Sequence, residues 1–449
     1  MNMKRILGKG FAFAVMSLAT GTMYAQFKIS GEIRPRMEYR NGYKKLPTTT
    51  SKNAAFVDQR TRLNFDYKKD RIQFKVVLQD VRVWGNQSQL NGNEDYGVSI
   101  HEAWGQAFLN KNFSVRFGRQ ELIYDDHRIF GNVGWAQQAR SHDAVVFKYQ
   151  KDKIKFDFGG AYNQAKAQLT GTNYTVLNSY KTMQYFWGNY KASKEFNLSL
   201  LALSVGQQVN FTNTLGDADY YDNYTLTAGT RMVYKKNKFG ASLNAYYQFG
   251  SANVMPVKDV SGYDIGVDVF YQVSKVFKAT LGYEMLSGNS QTDTTASALN
   301  TNRAFNPYFG TNHKFNGFMD YFYVGNHIGS VGLNDIYLKL DFKLKKFSTG
   351  VTTHAFIANN DVLNQNELAT TGNIEAMDAY LGTEIDVFGA FKLVPGATVK
   401  LGYSHMIGTD TMVAIRGGST AATSNWGYVM IIMKPVLFDS SEKKKQKIK

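Results

Sequence analysis

The 449-residue chain contains no cysteine, so it can form neither a disulfide framework nor a thiolate metal site. Proline is scarce, at 6 residues. After the N-terminal region, no stretch approaches the roughly 18 consecutive apolar residues that a membrane-spanning helix needs. The mean hydropathy of −0.34 resembles that of a soluble protein, but a barrel with a polar lining would give the same value. These absences exclude a helical membrane anchor and any cysteine-based site.

The N-terminal segment has the features of a secretory signal. Lys4, Arg5 and Lys9 form a charged region. An apolar stretch over residues 11–19 follows, and Ala25 provides a small residue before a cleavage point. We therefore predict a signal peptide over residues 1–25.

The chain is strongly basic, with a formal net charge of +16. Such an excess can indicate nucleic acid, anionic lipid or an anionic solute as the partner. Export without a helical anchor argues against the first of these. We therefore expect no nucleic-acid partner, and the charge alone leaves anionic lipid and anionic solute open.

A short, lysine-rich turn between aromatic residues recurs along the chain, which has 28 Tyr and 31 Phe. Its copies occupy residues 67–72, 149–154, 190–196, 234–239, 271–277 and 342–347, with looser copies at 109–113 and 388–391. Most of the copies lie about 40 residues apart, and a period of this size indicates a repeated structural unit.

The segments between these turns alternate between apolar and polar residues with period two. Ile33 and Met37 fall on one face of the first segment, whereas Glu32 and Arg34 fall on the other. The pattern returns at residues 57–67, 225–235, 239–248, 263–272 and 335–342. Alternation of this kind predicts β-strands rather than helices. Many of the segments are long enough to cross a bilayer at a tilt, which needs about 9–11 residues.

The connections between the predicted strands alternate in length. Eight are short turns, and nine are long loops at residues 41–54, 85–97, 121–139, 164–179, 206–222, 250–261, 287–333, 358–375 and 407–424. Together they predict an all-β fold, a transmembrane antiparallel up-and-down β-barrel of about 18 strands with short periplasmic turns and long extracellular loops. A barrel of this width has an aqueous lumen. A propeller is the alternative, but its blades need four short strands per repeat, whereas this chain shows two long ones.

Arginine is frequent on the face that the alternation places inside the barrel. Arg34, Arg36, Arg60 and Arg62 are predicted to point inward from neighbouring strands. Rings of Arg or Lys in a pore favour anions, whereas ion pairs between neighbouring strands would merely stiffen the wall. Residues 118–143 combine charges of both signs, and they could fold inward as a constriction or form an ordinary exposed loop.

Several motifs in this order resemble the alginate export family of outer-membrane porins. They are Val115–Leu122, Gly134–Trp135, Arg140–Val145, Asp80–Gly85, Phe305–Gly317 and Leu381–Asp386. The resemblance covers essentially the mature chain. It implies a monomeric 18-strand barrel with an arginine-lined constriction that passes an anionic polyuronate such as alginate.

The resemblance also implies roles for individual residues. Arg62, Arg82, Arg119 and Arg140 would be cations of the pathway, and Asp126 and Asp143 would be their acidic partners. With the inward arginines and the charged loop, the predicted pore-lining set is Arg34, Arg36, Arg60, Arg62, Arg82, Arg119, Arg128, Arg140, Asp126 and Asp143.

The barrel domain is predicted over residues 26–438, followed by a basic C-terminal tail over residues 439–449. The predicted location is the outer membrane of a Gram-negative bacterium. The expected partners are outer-membrane lipid and lipopolysaccharide, together with an anionic saccharide or another small anionic solute. We expect no cofactor and no metal.

The predicted function is passive diffusion of anionic solutes. A general porin of low selectivity is one alternative, and an outer-membrane enzyme that modifies lipid or saccharide is another. The enzyme would need Ser141, His142 and Asp143, or His101 with Glu102, but adjacent residues of a strand point to opposite faces. We therefore predict a protein that is not an enzyme.

Overall fold

A computed structural model of the protein describes residues 25–90, 97–176, 179–212, 214–252, 256–323 and 331–441. All but the last residue of the predicted signal peptide lies outside this part of the chain, and so does most of the predicted basic tail. Neither prediction is therefore tested by the fold.

The first ten strands are β1 (Gln26–Asn41), β2 (Ala54–Lys69), β3 (Ile72–Val83), β4 (Ser99–Phe108), β5 (Phe113–Gln120), β6 (His142–Lys151), β7 (Ile154–Tyr162), β8 (Thr182–Tyr190), β9 (Phe196–Thr212) and β10 (Ala218–Lys236). The others are β11 (Phe239–Ser251), β12 (Asp259–Gln272), β13 (Phe277–Leu286), β14 (Thr301–Asn302), β15 (Leu333–Lys343), β16 (Phe347–Ile357), β17 (Tyr380–Val394), β18 (Ala397–Gly408), β19 (Ser424–Met433) and β20 (Val436–Asp439).

The long strands close into a single antiparallel barrel. Each of them pairs with its neighbour, and β19 pairs with β1 through partners such as Arg36 and Met430. Two strands are short: β14 adds two residues beside β12, and β20 pairs with the beginning of β1. The remaining eighteen strands form the wall, which confirms the predicted barrel and rules out the propeller. Closure also satisfies the backbone hydrogen bonds that lipid cannot provide.

Within the ranges that the structure describes, three short helices lie in the connections. They are α1 (Ala296–Asn300), α2 (Gln365–Thr371) and α3 (Asp410–Arg416), and a 3₁₀ turn covers Asn312–Lys314. Among the described helices, none is long and apolar enough to cross a membrane.

Exposure along β1 follows the predicted alternation. The outward-facing Ile33 and Met37 are 40% and 53% exposed, whereas Glu32 and Arg34 are buried in the interior. The register pairs Arg34 with Arg60, and partners across two strands share one face. The inward direction predicted for the first four arginines is therefore confirmed.

The tight turns are closed by residues that tolerate a positive φ. Asp70, Asp152 and Asn237 have φ angles of 49°, 50° and 54°, which such two-residue hairpins require. One predicted turn is wrong, because residues 388–391 lie inside β17, and that strand turns instead at residues 395–396. The predicted loop 206–222 is also too long, since β9 and β10 extend past the point at which their alternation fades.

Two connections fold into the barrel and fill part of its interior. We call residues 121–141 the first inward segment and residues 287–323 the second inward segment. Their backbones meet where Phe130 forms a bridge with Phe309 and the Gly131 N–H donates to the Phe309 carbonyl at 2.8 Å. Both are rich in buried apolar side chains, including Phe130, Phe305 and Met319. The core of the protein thus lies inside the barrel, where these segments narrow the lumen.

Candidate functional site

The inward arginines of β1 bind the backbone of the first inward segment. The Arg34 Nη1 donates to the Gly134 carbonyl at 2.7 Å, and its Nη2 donates to the Trp135 carbonyl at 3.2 Å. The Arg36 Nη1 donates to the same Trp135 carbonyl at 2.8 Å. Both arginines are nearly inaccessible, at 6% and 3% exposure. They hold the segment against the wall, and their guanidinium groups are covered by it.

The inward arginines of β2 make ion pairs and polar contacts inside the wall. The Arg60 Nε donates to the Glu32 Oε1 at 2.7 Å. The Arg62 Nε donates to the Gln79 Oε1 at 2.7 Å, and its Nη1 lies 3.9 Å from a Glu121 oxygen. These contacts correspond to the wall-stiffening alternative, because each cation already has polar partners on neighbouring elements.

The register places Arg82 on the outer face of the barrel, which corrects its prediction as a pathway cation. Arg62 is paired with Gln79, so the lumen face of β3 carries the odd-numbered residues of this region. Arg82 is paired with Gln59 on the opposite face, and its Nε donates to the Asp80 Oδ2 at 2.7 Å. At this end of the strand, polar groups can face outward because they lie beyond the apolar band.

Arg119 and Asp143 also face outward. They are register partners on β5 and β6, and they share the outward face with Phe117 and Val145. The Arg119 Nη1 lies 2.8 Å from the Asp143 Oδ2, so the predicted partnership between the two is present. Their side chains are 42% and 61% exposed, and they lie on the wrong side of the wall for the lumen.

Arg128 is an anchor of the first inward segment and not a cation of an open path. Its Nε lies 3.1 Å from the Asp264 Oδ2 and 3.0 Å from the Glu284 Oε1, on β12 and β13. Its guanidinium also lies over the ring of Phe315 in the second inward segment, 4.6 Å from the centroid. The side chain is 1% exposed, so solutes do not reach it.

Asp126 joins the first inward segment to the opposite wall. Its Oδ2 accepts from the Arg231 Nη1 at 2.6 Å and from the Asn244 Nδ2 at 2.7 Å. The Lys314 Nζ donates to the Asp126 carbonyl at 2.8 Å. Burial lowers the pKa of Lys314 and also that of His127, whose pKa the nearby Lys314 lowers further. This cluster borders a cavity of about 330 Å³ below the inward segments.

Sequence reasoning did not assign the lysines that face the lumen. They include Lys75, Lys148, Lys278, Lys339 and Lys400, each on the inward side of its strand by register. Four of these pair with carboxylates: Lys75 with Glu102 at 2.6 Å, Lys278 and Lys339 with Asp341 at 3.2 Å and 3.9 Å, and Lys148 with Asp157. The same period-two alternation that predicted the arginines could have found them.

Lys400 differs from the other lumen lysines. It is exposed on β18, and its electrostatic neighbours include the cations Arg34 and Lys434. Among the described residues, no carboxylate lies within ion-pair distance of its Nζ. It therefore leaves a positive charge open to the lumen.

The candidate catalytic groups are not brought together. His142 faces inward, where its Nδ1 lies 2.9 Å from the Tyr180 hydroxyl, and Asp143 faces outward. His101 lies 2.8 Å from a Glu121 oxygen, and the neighbouring Glu102 accepts from the Trp104 Nε1. In the part of the chain that the structure describes, no cluster of His, Cys, Asp or Glu side chains is placed to hold a metal.

The barrel is similar to solved outer-membrane proteins of Pseudomonas aeruginosa. OpdK matches with a TM-score of 0.61 and 9% sequence identity, over 91% of this chain and 98% of its own. OccK2 (OpdF) in complex with glucuronate has a TM-score of 0.57 and 10% identity, over 92% of this chain and 97% of its own. OpdK with vanillate has a TM-score of 0.56 and 9% identity, over 91% and 98%. These likenesses show a shared fold.

No curated protein sequence matches the chain significantly. The profile of the family described as "Alginate export" matches residues 25–425, which is most of the chain. This match confirms the family suggested by the motifs, and with the barrel it indicates a channel in the outer membrane of a Gram-negative bacterium. The chain therefore belongs to the alginate export family.

Proposed function

We propose that the channel passes anionic solutes, and that polyuronates are among them. The solute meets lysines of the lumen, while the buried arginines hold the first inward segment in place. This assignment differs from the arginine-lined constriction that the family resemblance implies, because the guanidinium groups of Arg34, Arg36, Arg60 and Arg128 are buried.

The observation that supports the proposal best is the open charge of Lys400. Its Nζ is exposed to the lumen beside Arg34, whose own contacts are with carbonyls and with Gln137. Neither cation has a carboxylate partner among the described residues. A region of uncompensated positive charge in a pore favours anions.

The ligands of two structural neighbours are consistent with this proposal. OccK2 was solved with glucuronate, and OpdK was solved with vanillate. Both ligands are small ring compounds with a carboxylate, which is also the repeating chemistry of a polyuronate.

Planar-bilayer recording tests the proposal. We expect the wild-type channel to prefer chloride over potassium, as read from the reversal potential in a salt gradient. Lys400→Gln should reduce this preference by up to about fivefold, since two unit charges 4 Å apart interact by about 1 kcal/mol in water. Uronate oligomers should also block the current more strongly in the wild type than in this variant.

Arg82→Gln is the matched control. It removes one positive charge from the outer face of the barrel, so selectivity should not change. A cation-selective wild type would refute the proposal, and so would equal selectivity in the wild type and Lys400→Gln. A channel with weak selectivity and no uronate block would instead indicate a general porin.

The monomeric state and the binding of lipopolysaccharide stay predictions.

A further inference from the structure

We propose that a cleft at the extracellular mouth binds a sugar ring that carries one carboxylate. The cleft lies where β6 begins, between the described residues of the β7–β8 connection (163–176 and 179–181) and the second inward segment, and its volume is about 760 Å³. This is within the range of about 300–1,000 Å³ that ligand sites occupy. The inference rests on the proposed function, because it adds a binding site for the same solute class at one end of the path.

Aromatic rings form the apolar part of the cleft. Phe309 lies on its floor, and the Tyr180 ring packs edge-on against it with centroids 5.2 Å apart. Tyr174 and Tyr308 complete this surface. The C–H face of a pyranose packs on such rings because both surfaces are flat and apolar. The rings therefore provide a platform for a sugar.

Arg140 supplies the positive charge of the cleft. Its Nη1 donates to the Gly310 carbonyl at 3.2 Å, and the guanidinium lies over Phe309, 6.0 Å from the ring centroid. Arg119 and Asp143 also line the cleft and pair with each other, whereas Arg140 makes no ion pair with a carboxylate of the described residues. A planar guanidinium suits a carboxylate because it can donate two parallel hydrogen bonds.

His142 provides a second, independent indication of a ligand. The side chain lines the cleft and is 4% exposed. Its Nδ1 lies 2.9 Å from the Tyr180 hydroxyl, but its buried Nε2 has no hydrogen-bond partner among the described residues. Buried polar atoms are nearly always paired, so an unpaired one at a cleft indicates a missing partner.

Side-chain amides favour a sugar over a plain aromatic acid. Asn163, Gln164, Gln207 and Asn306 all line the cleft. Each amide has both donors and an acceptor, so a group of them can satisfy several ring hydroxyls at once. A benzoate-type acid would use the platform and the arginine but would offer these amides no hydroxyls.

Calorimetry with the full-length protein in detergent micelles tests the inference, with glucuronate, glucose and benzoate as probes. We expect glucuronate to bind at least tenfold more tightly than either other probe, since glucose lacks the carboxylate and benzoate lacks the hydroxyls. Arg140→Gln should weaken glucuronate binding by about tenfold to a hundredfold, the range of a lost charge-assisted hydrogen bond. Arg140→Lys should restore part of the affinity.

Further variants distinguish lost binding from misfolding, and they test the cleft separately from the proposed function. Gln164→Ala, which changes an amide near the surface, should weaken glucuronate binding by roughly two- to tenfold. The proposed function is tested separately, by the ion selectivity of Lys400→Gln. Unchanged affinity in both Arg140→Gln and Gln164→Ala would overturn the cleft even if Lys400→Gln changes selectivity. Equal binding of benzoate and glucuronate would also overturn it.

Discussion

Replacing Arg128 by leucine should release the first inward segment from the wall. This arginine is 1% exposed, and it is shared by Asp264 and Glu284, which lie 3.1 Å and 3.0 Å from its Nε. Its Nη2 also donates to the Asn316 Oδ1 at 3.3 Å. The variant Arg128→Leu leaves both carboxylates buried without their cation, so the segment and the wall lose their common anchor.

The free-energy cost of Arg128→Leu follows from the burial of its ion pair. Removing one partner of a buried ion pair costs about 3–5 kcal/mol, because the remaining charge stays desolvated. At about 1.4 kcal/mol per factor of ten, the population with a detached segment should rise by roughly a hundredfold to a few thousandfold. The barrel wall itself should persist, because its backbone hydrogen bonds do not involve this side chain.

Limited proteolysis in micelles measures that population. When reclosing is faster than cleavage, the cleavage rate follows the fraction of detached segments, so cuts within residues 121–141 should accelerate strongly in Arg128→Leu. In bilayers the same variant should show larger current fluctuations. Arg119→Leu is the control, since an exposed pair contributes only about 0–1 kcal/mol. Combining Arg128→Leu with Asp264→Asn and Glu284→Gln should restore protection from cleavage, because the buried carboxylates are then neutral. Equal cleavage rates of Arg128→Leu and the wild type would refute the reasoning.

Two further predictions concern the inward segments. Trp135→Ala should accelerate the same cleavage, because the indole stacks on His313 at 4.3 Å and lies under the Arg36 guanidinium at 4.2 Å. Loss of a fully buried tryptophan costs about 3–5 kcal/mol, so loss of the half-buried Trp135 should cost less. Circular dichroism should show an intact barrel. Burial lowers the pKa of Lys314, so its positive charge should be lost at a lower pH than that of an exposed lysine. As the pH is raised, anion preference should therefore start to decrease before the pH reaches ~10.4, the ordinary lysine pKa. In Lys314→Arg the decrease should begin at a higher pH. Identical pH profiles of the wild type and this variant would contradict the prediction.

The sequence was sufficient to predict the barrel because each wall strand separates lipid from polar interior. Along β1 and β2 that requirement places Ile33 and Met37 outside and Arg34 inside, as the exposures confirm. Turn chemistry was equally informative at Asp70, where a positive φ is needed. At residues 388–391 the aromatic pattern was misleading, because its phenylalanines belong to the interior of β17.

The direction in which side chains point was predicted poorly at the extracellular ends of the strands. There both faces of the wall are polar, so alternation no longer distinguishes lumen from exterior. Arg82 and Arg119 were assigned from motifs, although Phe117 has the same parity as Arg119 and already indicated the outward direction. The folding of the inward segments depends on contacts between residues far apart in sequence, such as Arg128 with Asp264. Local patterns contain no information on those contacts.

Arginine and lysine have different roles in this lumen for a chemical reason. Arg34 satisfies the carbonyls of Gly134, Trp135 and Ala136 with one rigid, planar group, and a single ammonium could not reach them in that arrangement. Lys400 keeps a compact, strongly hydrated charge on a flexible stem, which suits transient contact with a moving anion. Conduction needs binding that is weak enough for the solute to leave. In this wall the buried arginines hold the constriction in place, and the lysines contact the solute. The number of lumen arginines is therefore a poor measure of the selectivity of the channel.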